Sequence, residues 1–173
     1  MSLAIDTAGL HPTTEACMET LQWLQSDHNF VNILEIGCGN GILSLTAASI
    51  WDAKVLAVDI SEKAVADTLK NVAEYGLQEQ ITIARSEGFL HSSIQKTGPF
   101  DLIICNLLAD TILTLAHSIK NNLKTDGYFM LSGILAWRAD EVESVYKGLG
   151  FEIVDKKLTS PWQSYVFHIY KKT

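Results

Sequence analysis

Short apolar runs alternate with helix-forming segments along most of this chain, and this alternation restricts the fold more than any other feature. The runs at residues 31–36, 54–58, 81–84, 100–105 and 128–132 predict five strands. Helical patterns follow the first, second, fourth and fifth of these runs, and glycines such as Gly76 and Gly150 end two of them. Strands that alternate with helices form a parallel sheet covered on both faces by right-handed crossovers.

The carboxyl-terminal part of the chain has a different pattern. Two further strands are predicted around residues 151–158 and 164–170, separated only by a Ser160-Pro161 turn. Because a parallel connection needs a dozen or more residues, this pair must be an antiparallel hairpin. The sequence therefore predicts an α/β fold with about seven strands, mostly parallel, with one antiparallel strand near the carboxyl terminus and helices on both faces. Ligands of such sheets bind beyond the carboxyl ends of the strands, where the strand order reverses.

The charge balance restricts the partners of the chain. Lys and Arg number 13 and Asp and Glu number 20, which gives a formal net charge of -7. This charge argues against a protein that binds nucleic acid through a basic face, whereas it suits a basic protein partner.

Cysteine and histidine usage, together with the amino-terminal sequence, predicts a cytoplasmic protein without a metal site. Cys17, Cys38 and Cys105 are an odd number without a CxxC pair, and the histidines lack ligand spacing. There is neither a signal-peptide pattern nor an uninterrupted apolar span, so no membrane association is expected. Residues 1–3 resemble a cloning leader and carry no weight.

A glycine-rich turn joins the first predicted strand to its helix, in the sequence Glu35-Ile36-Gly37-Cys38-Gly39-Asn40-Gly41. Glycines allow a tight turn and a close approach of the backbone to a ligand, and the free N–H groups of the helix offer hydrogen bonds. Position 42 is Ile, so the third glycine of the G-x-G-x-x-G dinucleotide fingerprint is missing. The alternative is a turn without any ligand.

Acidic residues follow the next two strands. Asp59 ends the second strand, 22 residues after Gly37, where its carboxylate can accept hydrogen bonds from both hydroxyls of a ribose. The alternative role for Asp59 is a favourable charge at the start of the helix near Ser61. Glu87 and Gly88 follow the third strand and are weaker candidates for the adenine edge, because an exposed glutamate that begins a helix explains Glu87 equally well. Nicotinamide enzymes and S-adenosylmethionine enzymes both use such a glycine turn and acid to hold adenosine.

Asn106 lies at the carboxyl end of the fourth strand and faces the same crevice. It either caps the following helix or orients an amine: its side-chain oxygen accepts one amine hydrogen, a backbone carbonyl accepts another, and the lone pair points at a methyl donor. The segment His11-Pro12-Thr13-Thr14, taken alone, predicts a plain helix start with proline in the first turn and threonine as the cap.

Taken together, these motifs resemble those of class I S-adenosylmethionine-dependent methyltransferases, which have a Rossmann-like fold. More narrowly, the chain resembles the PrmA family, the methyltransferases of the large-subunit ribosomal protein numbered eleven. Six segments carry the resemblance: HPTT at 11–14, LEIGCGNGILSLTAA at 34–48, AVDISEKAV at 57–65, DLIICNLLA at 101–109, LSGILAWRADEV at 131–142 and GF at 150–151. The glycine motif is common to the whole class, whereas the combination of HPTT, NLLA and SGIL is much more specific.

The resemblance implies a cofactor, a site and a substrate. Thr14 would contact S-adenosylmethionine, Gly37 would lie against its methionine and ribose portion, and Asp59 would hold the ribose hydroxyls. Asn106 would lie beside the reactive methyl as the catalytic residue. The family methylates amines of lysine side chains and of the protein amino terminus, so a basic ribosomal protein is the expected partner. The full predicted cofactor-binding set is Thr14, Glu35, Gly37, Gly39, Gly41, Asp59, Glu87, Gly88 and Asn106.

The sequence also departs from the family. The chain begins almost at HPTT, without the separate recognition domain that precedes it in family members, so residues 1–173 are predicted to form a single catalytic domain. Asp6-Thr7-Ala8-Gly9-Leu10 replaces the family's Phe-Gly-Thr-Gly lead-in. Alternatives are therefore a small-molecule methyltransferase, a cofactor-binding module that needs a partner domain or subunit, and a nicotinamide-dependent oxidoreductase. The absence of an Asn-Pro-Pro-Tyr motif argues against a nucleobase or amide acceptor.

Overall fold

The structure is a computed structural model that describes Ile5 and residues 9–170. The leader-like residues 1–3 and residues 6–8 of the lead-in segment lie outside this described part. Its strands are β1 (Asn32–Ile36), β2 (Lys54–Asp59), β3 (Ile81–Arg85), β4 (Phe100–Asn106), β5 (Leu123–Leu135), β6 (Glu152–Thr159) and β7 (Trp162–His168). Its helices are α1 (Pro12–Gln25), α2 (Ile42–Ile50), α3 (Glu62–Glu74), α4 (Ser92–Thr97), α5 (Ala109–Asn122) and α6 (Ala139–Gly148), with a short 3-10 helix at Ala136–Arg138.

The seven strands form one sheet in the order β3-β2-β1-β4-β5-β7-β6. The pairs from β3 through β5 are parallel, whereas β7 is antiparallel to both β5 and β6. This confirms the predicted mostly parallel sheet and its closing hairpin. The strand order reverses between β1 and β4, so the carboxyl ends of these two strands mark where a ligand crevice opens.

Helices cover both faces of the sheet and create two apolar cores. Neighbouring residues of β1 alternate between them: Ile33 belongs to one core and Leu34 to the other. The first core contains Leu21 of α1 and residues of α2 and α3, while the second contains Ile112 of α5 and Tyr146 of α6. In the described part of the chain, no helix is both long enough and apolar enough to cross a bilayer.

The buried face of α3 differs from the predicted one. The apolar spacing predicts a stripe of Val65, Leu69 and Val72, but Leu69 is 52% exposed. Thr68 is fully buried in its place. Its hydroxyl donates to the carbonyl oxygen of Gly39 at 3.0 Å, so contact with the glycine turn sets the rotation of α3.

Two short helices were not predicted, and the predicted fifth strand begins earlier than its apolar run. The helix α4 and the 3-10 helix Ala136–Arg138 lack an apolar period, which leaves no sequence signal for them. The sequence Thr125-Asp126-Gly127 predicts a turn between the preceding helix and this strand, but these residues lie within β5. The pairing of β5 with β4 shifts there, from Leu123 opposite Phe100 to Tyr128 opposite Leu102. Asp126 has a φ of 61° there, so the turn persists as an irregularity of the strand.

Candidate functional site

A cavity of about 520 Å³ opens where the strand order reverses. It lies beyond the carboxyl ends of β1, β2, β3 and β4, and α5 forms its far wall. The predicted residues Gly37, Asp59, Glu87 and Gly88 all line it, together with Leu107. The topology thus brings four predicted site residues from three separate loops into one cavity.

The glycine turn is fastened to β2 and packs against the loop that follows β4. The backbone N–H groups of Gly37 and Cys38 both donate to the carbonyl oxygen of Val58, at 2.8 and 3.1 Å. Gly37 has a φ of 76°, and a Cβ added to it would lie only 2.5 Å from Cδ2 of Leu107. Glycine is required at this position by both its backbone conformation and its close neighbour.

The other two glycines of the turn differ in the space that surrounds them. Gly39 has a φ of 58°, but an added Cβ would meet nothing within 4 Å. Gly41 has a φ of 81°, and an added Cβ would lie 2.6 Å from Cγ2 of Thr68. Gly41 is buried at the start of α2, so it supports the turn beside α3 and does not line the cavity.

Asp59 connects the turn to the start of α3. One carboxylate oxygen accepts from the backbone N–H of Gly39 at 3.0 Å, and the other accepts from that of Ser61 at 2.9 Å. Two N–H donors fix the orientation of the carboxylate while its side chain lines the cavity. The ribose role and the helix-start role predicted for this residue are therefore geometrically compatible.

Glu35 lies beneath the turn and does not line the cavity. Its side chain is 2% exposed, and its carboxylate accepts a hydrogen bond from the hydroxyl of Ser44 in α2. Burial raises the pKa of the Glu35 carboxyl to about 8. The residue thus joins β1 to α2, and its predicted contact with the cofactor stays a prediction.

Glu87 and Gly88 lie in the loop after β3. The helix α4 begins at Ser92 with His91 as its cap, so Glu87 does not begin a helix and that alternative is wrong. The hydroxyl of Ser86 donates to the carbonyl oxygen of Gly88 at 2.8 Å and accepts from the N–H of His91 at 3.1 Å. These bonds shape the loop, and Glu87 remains exposed at the rim of the cavity.

A second cavity, of about 370 Å³, adjoins the first. Thr14 and Asn106 both line it, although they are far apart in sequence, and the side-chain amide of Asn106 donates to the Thr14 hydroxyl at 3.3 Å. Leu107 lines both cavities and forms the wall between them. The predicted catalytic residue and the second threonine of HPTT are therefore direct neighbours.

Gly133 brings β5 close to this pair. It has a φ of 83°, and an added Cβ would lie 2.7 Å from the carbonyl oxygen of Leu107 and 3.2 Å from Oδ1 of Asn106. Glycine at this position leaves room around both oxygens, and the Asn106 oxygen is the predicted acceptor for an amine. In the sequence, Gly133 is marked only by its place in the SGIL motif.

His11 and Trp162 complete the second cavity and were missed as site residues. His11, rather than a threonine, caps α1: its Nδ1 accepts from the backbone N–H of Thr13 at 3.3 Å and is 2.8 Å from the Thr13 hydroxyl. The predicted threonine cap is wrong because Pro12 is the first helical residue, which places Thr13 and Thr14 inside the helix. The ring of Trp162 packs against His11 with centroids 5.3 Å apart.

A parallel sheet with a closing antiparallel strand, a glycine turn after β1 and an acid at the end of β2 define the class I methyltransferase fold. The chain belongs to the ribosomal protein L11 methyltransferase (PrmA) family, whose sequence model matches residues 3–169. The structure shares this fold with a crystal structure of ribosomal protein L11 methylase from Lactobacillus delbrueckii subsp. bulgaricus. The TM-score is 0.85 at 26% identity, over 94% of this chain and 81% of the other.

A further relative agrees with this placement, and a further solved structure shares the fold. A ribosomal protein L11 methyltransferase from Desulforamulus reducens is 36% identical over 158 residues, which are 91% of this chain and 49% of the relative. The chain thus spans about half the length of the curated relatives it matches. Magnesium protoporphyrin IX methyltransferase from Synechocystis PCC 6803, solved with bound SAM, shows the same fold. Its TM-score is 0.75 at 19% identity, over 91% of this chain and 80% of the other.

The close contact between Gly37 and Leu107 leads to a stability prediction. We expect Gly37→Ala to lower the free energy of unfolding by about 1 to 2 kcal/mol for its left-handed φ, and by about 1 to 3 kcal/mol more because Leu107 must move. Gly39→Ala is the matched control, because it shares a positive φ without the clash. Denaturant titration of both variants measures the difference. Equal losses would contradict the importance of the contact, whereas Leu107→Ala should restore part of the stability of Gly37→Ala.

Burial of Glu35 predicts a pH-dependent stability. The folded chain keeps the proton up to a pKa of about 8, whereas the reference value is 4.5, so unfolding releases a proton between these values. The stability that the protonated Glu35 contributes is complete below pH 4.5 and is lost as the pH rises through about 8. Glu35→Gln cannot ionise and still offers an oxygen to Ser44. Its free energy of unfolding, measured by denaturant titration at several pH values across this range, should therefore decline less than that of the unmodified chain. The exposed substitution Glu74→Gln should leave the decline unchanged, and an undiminished decline in Glu35→Gln would refute the assignment.

Proposed function

We propose that this chain binds S-adenosylmethionine and transfers its methyl group to an amine nitrogen of a ribosomal protein. One observation carries the proposal: two adjacent cavities share the wall residue Leu107, one with the glycine turn and Asp59, the other with Thr14 and Asn106. A cofactor that reaches from the first cavity into the second would present its methyl group beside Asn106. Residues 1–173 would act as a single catalytic domain in the cytoplasm, where ribosomal proteins are made.

The first cavity suits an adenosine. The backbone of Gly37 allows close approach, and the oriented carboxylate of Asp59 would accept hydrogen bonds from the ribose hydroxyls. Ile60 is 59% exposed and lines the same cavity, so it offers an apolar surface to a flat base. Glu87 and Gly88 would lie at the adenine end. When bound, S-adenosylmethionine supplies a methyl group activated by its sulfonium.

The second cavity suits an amine that has lost its proton. Among the described residues, neither Asp, Glu, Lys nor Arg lines it. A lysine amine with a pKa near 10.4 needs about 4 to 5 kcal/mol to become neutral at pH 7, and transfer from water into a cavity without a carboxylate to stabilise its charge lowers that cost. Asn106 Oδ1 would accept one hydrogen of the neutral amine and the carbonyl oxygen of Leu107 the other, so that the nitrogen lone pair faces the methyl group. The N–C bond would form as the sulfonium S–C bond breaks, with S-adenosylhomocysteine as the leaving group, and the methylated ammonium would then release one proton to water.

Membership of the family supports a ribosomal protein as the acceptor, since the relatives described above carry that name. The formal net charge of -7 would favour the approach of a basic protein. A lysine side chain or an amino terminus presents the amine that this cavity suits.

Asp59 provides the test of cofactor binding. Asp59→Asn should weaken binding of S-adenosylhomocysteine roughly tenfold to hundredfold, because the charged acceptor for the ribose hydroxyls is lost. Isothermal titration calorimetry measures the affinity. Asp52→Asn is the matched control, since Asp52 is an exposed acid just before β2, at the opposite end of the strand that Asp59 ends. Unaltered affinity in Asp59→Asn would refute the ribose assignment, and tight binding of NADH would favour a nicotinamide enzyme.

Transfer of tritium from labelled S-adenosylmethionine tests the reaction. The label should enter whole ribosomal protein, and Asn106→Ala should lower kcat about a hundredfold through loss of amine positioning. Asn121→Ala, at an exposed position near the end of α5, should leave kcat unchanged.

Three other outcomes would contradict the proposed function. Label found in a metabolite pool instead of ribosomal protein would indicate a small-molecule methyltransferase. Binding of S-adenosylhomocysteine without transfer to either acceptor would indicate a cofactor-binding module that needs a partner. Full activity of Asn106→Ala would remove that residue from the catalytic step.

A further inference from the structure

Two large apolar side chains stand exposed beside the second cavity. Leu108 is 66% exposed and follows β4, and Trp137 is 77% exposed and follows β5. Because β4 and β5 are parallel neighbours, both residues lie at the same edge of the sheet. Leu108 itself lines the second cavity. We call these two residues the Leu108–Trp137 surface.

Arg138 holds the segment that carries Trp137. Its guanidinium forms ion pairs with Asp110 in the first turn of α5 at 2.5 Å and with Glu141 in the first turn of α6 at 2.6 Å. The Arg138 side chain is only 18% exposed, so the ion pairs hold the 3-10 helix Ala136–Arg138 between α5 and α6. Trp137 therefore lies on a short, held helix, although most of its own side chain is in solvent.

The same segment is joined to the wall of the second cavity. The backbone N–H of Ala136 donates to the carbonyl oxygen of Pro161 at 2.9 Å, and Leu135 pairs with Trp162 in the sheet. Trp162 lines the second cavity. The Leu108–Trp137 surface is thus continuous with the place where the proposed function puts the acceptor amine.

Burial in the core does not explain the position of Trp137, because a side chain that is 77% exposed buries little apolar area. Its ring contacts the guanidinium of Arg138, with the central carbon 5.7 Å from the ring centroid, and otherwise faces solvent. Exposed apolar patches beside a binding cavity mark interaction surfaces, and tryptophan is among the residues that most often dominate binding energy there. Acidic residues adjoin this one: Asp110, Asp140 and Glu141 occupy the first turns of α5 and α6 around the single guanidinium of Arg138. The excess of negative charge favours a partner with basic residues.

We propose that the Leu108–Trp137 surface docks the polypeptide that carries the acceptor amine. An apolar side chain of that polypeptide packs against Trp137 and Leu108, and its basic residues face the acids of α5 and α6. This inference rests on the proposed function, since it assigns the binding of the protein acceptor to a surface next to the same cavity. It gives the AWR part of the LSGILAWRADEV segment a role in recognition.

The test compares Trp137→Ala with Trp23→Ala. Trp23 is 47% exposed in the last turns of α1, roughly 15 Å along that helix from Thr13. With whole ribosomal protein as acceptor, Trp137→Ala should raise KM about fivefold to thirtyfold, as for an interface residue whose truncation costs binding without abolishing it, with kcat nearly unchanged. Trp23→Ala should leave KM unchanged. Both variants should bind S-adenosylhomocysteine as the unmodified chain does, which excludes misfolding.

A second variant tests the charge. Asp140→Asn should raise KM for the protein acceptor by a smaller factor and reduce the increase of KM with added salt. An unchanged KM in Trp137→Ala, while the unmodified chain methylates ribosomal protein, would overturn the docking inference and leave the proposed function intact. Failure of the unmodified chain to methylate ribosomal protein would instead refute the proposed function, and the docking inference with it.

Discussion

The contact between Gly37 and Leu107 is the constraint on which the candidate site depends. Leu107 Cδ2 occupies the space that any side chain at position 37 would need, so the loops after β1 and β4 meet at the point of strand-order reversal. Leu107 also lines both cavities, so this approach fixes the side chain that lies between them. A glycine thus does more here than allow a tight turn: it decides how the crevice is divided between an adenosine part and an acceptor part.

Polar side chains beneath the site keep this turn in place, although burying a polar group is unfavourable. Glu35 is almost fully buried and bonded to Ser44, and Thr68 is fully buried with its hydroxyl on the carbonyl oxygen of Gly39. An apolar residue at either position would fill the core without the penalty of burying a polar group. Their hydrogen bonds instead fix β1, α2 and α3 around the glycine turn, which explains why α3 presents Thr68 to the core and leaves Leu69 exposed.

Much of the fold was predictable because its signals are local. Apolar runs, glycine stops and the short Ser160-Pro161 connection predicted seven strands and the closing hairpin, and the ends of β2 and β4 pointed to Asp59 and Asn106. The missed features depend on contacts between distant segments. The burial of Thr68 depends on the glycine turn, and the role of Gly133 depends on the approach of β5 to Asn106. The spacing of apolar residues along one sequence contains no information about either contact.

The antiparallel strand β7 shows why the direction of a strand matters to this site. In a parallel strand the first residue lies at the edge of the sheet opposite to the crevice, whereas β7 begins at the crevice edge. Its first residue, Trp162, therefore pairs with Leu135 at the carboxyl end of β5 and lies against His11. The same reversal places Pro161 where its carbonyl oxygen receives the N–H of Ala136 and supports the loop of Trp137. One change of strand direction thus supplies both a wall of the second cavity and the support for the surface beside it.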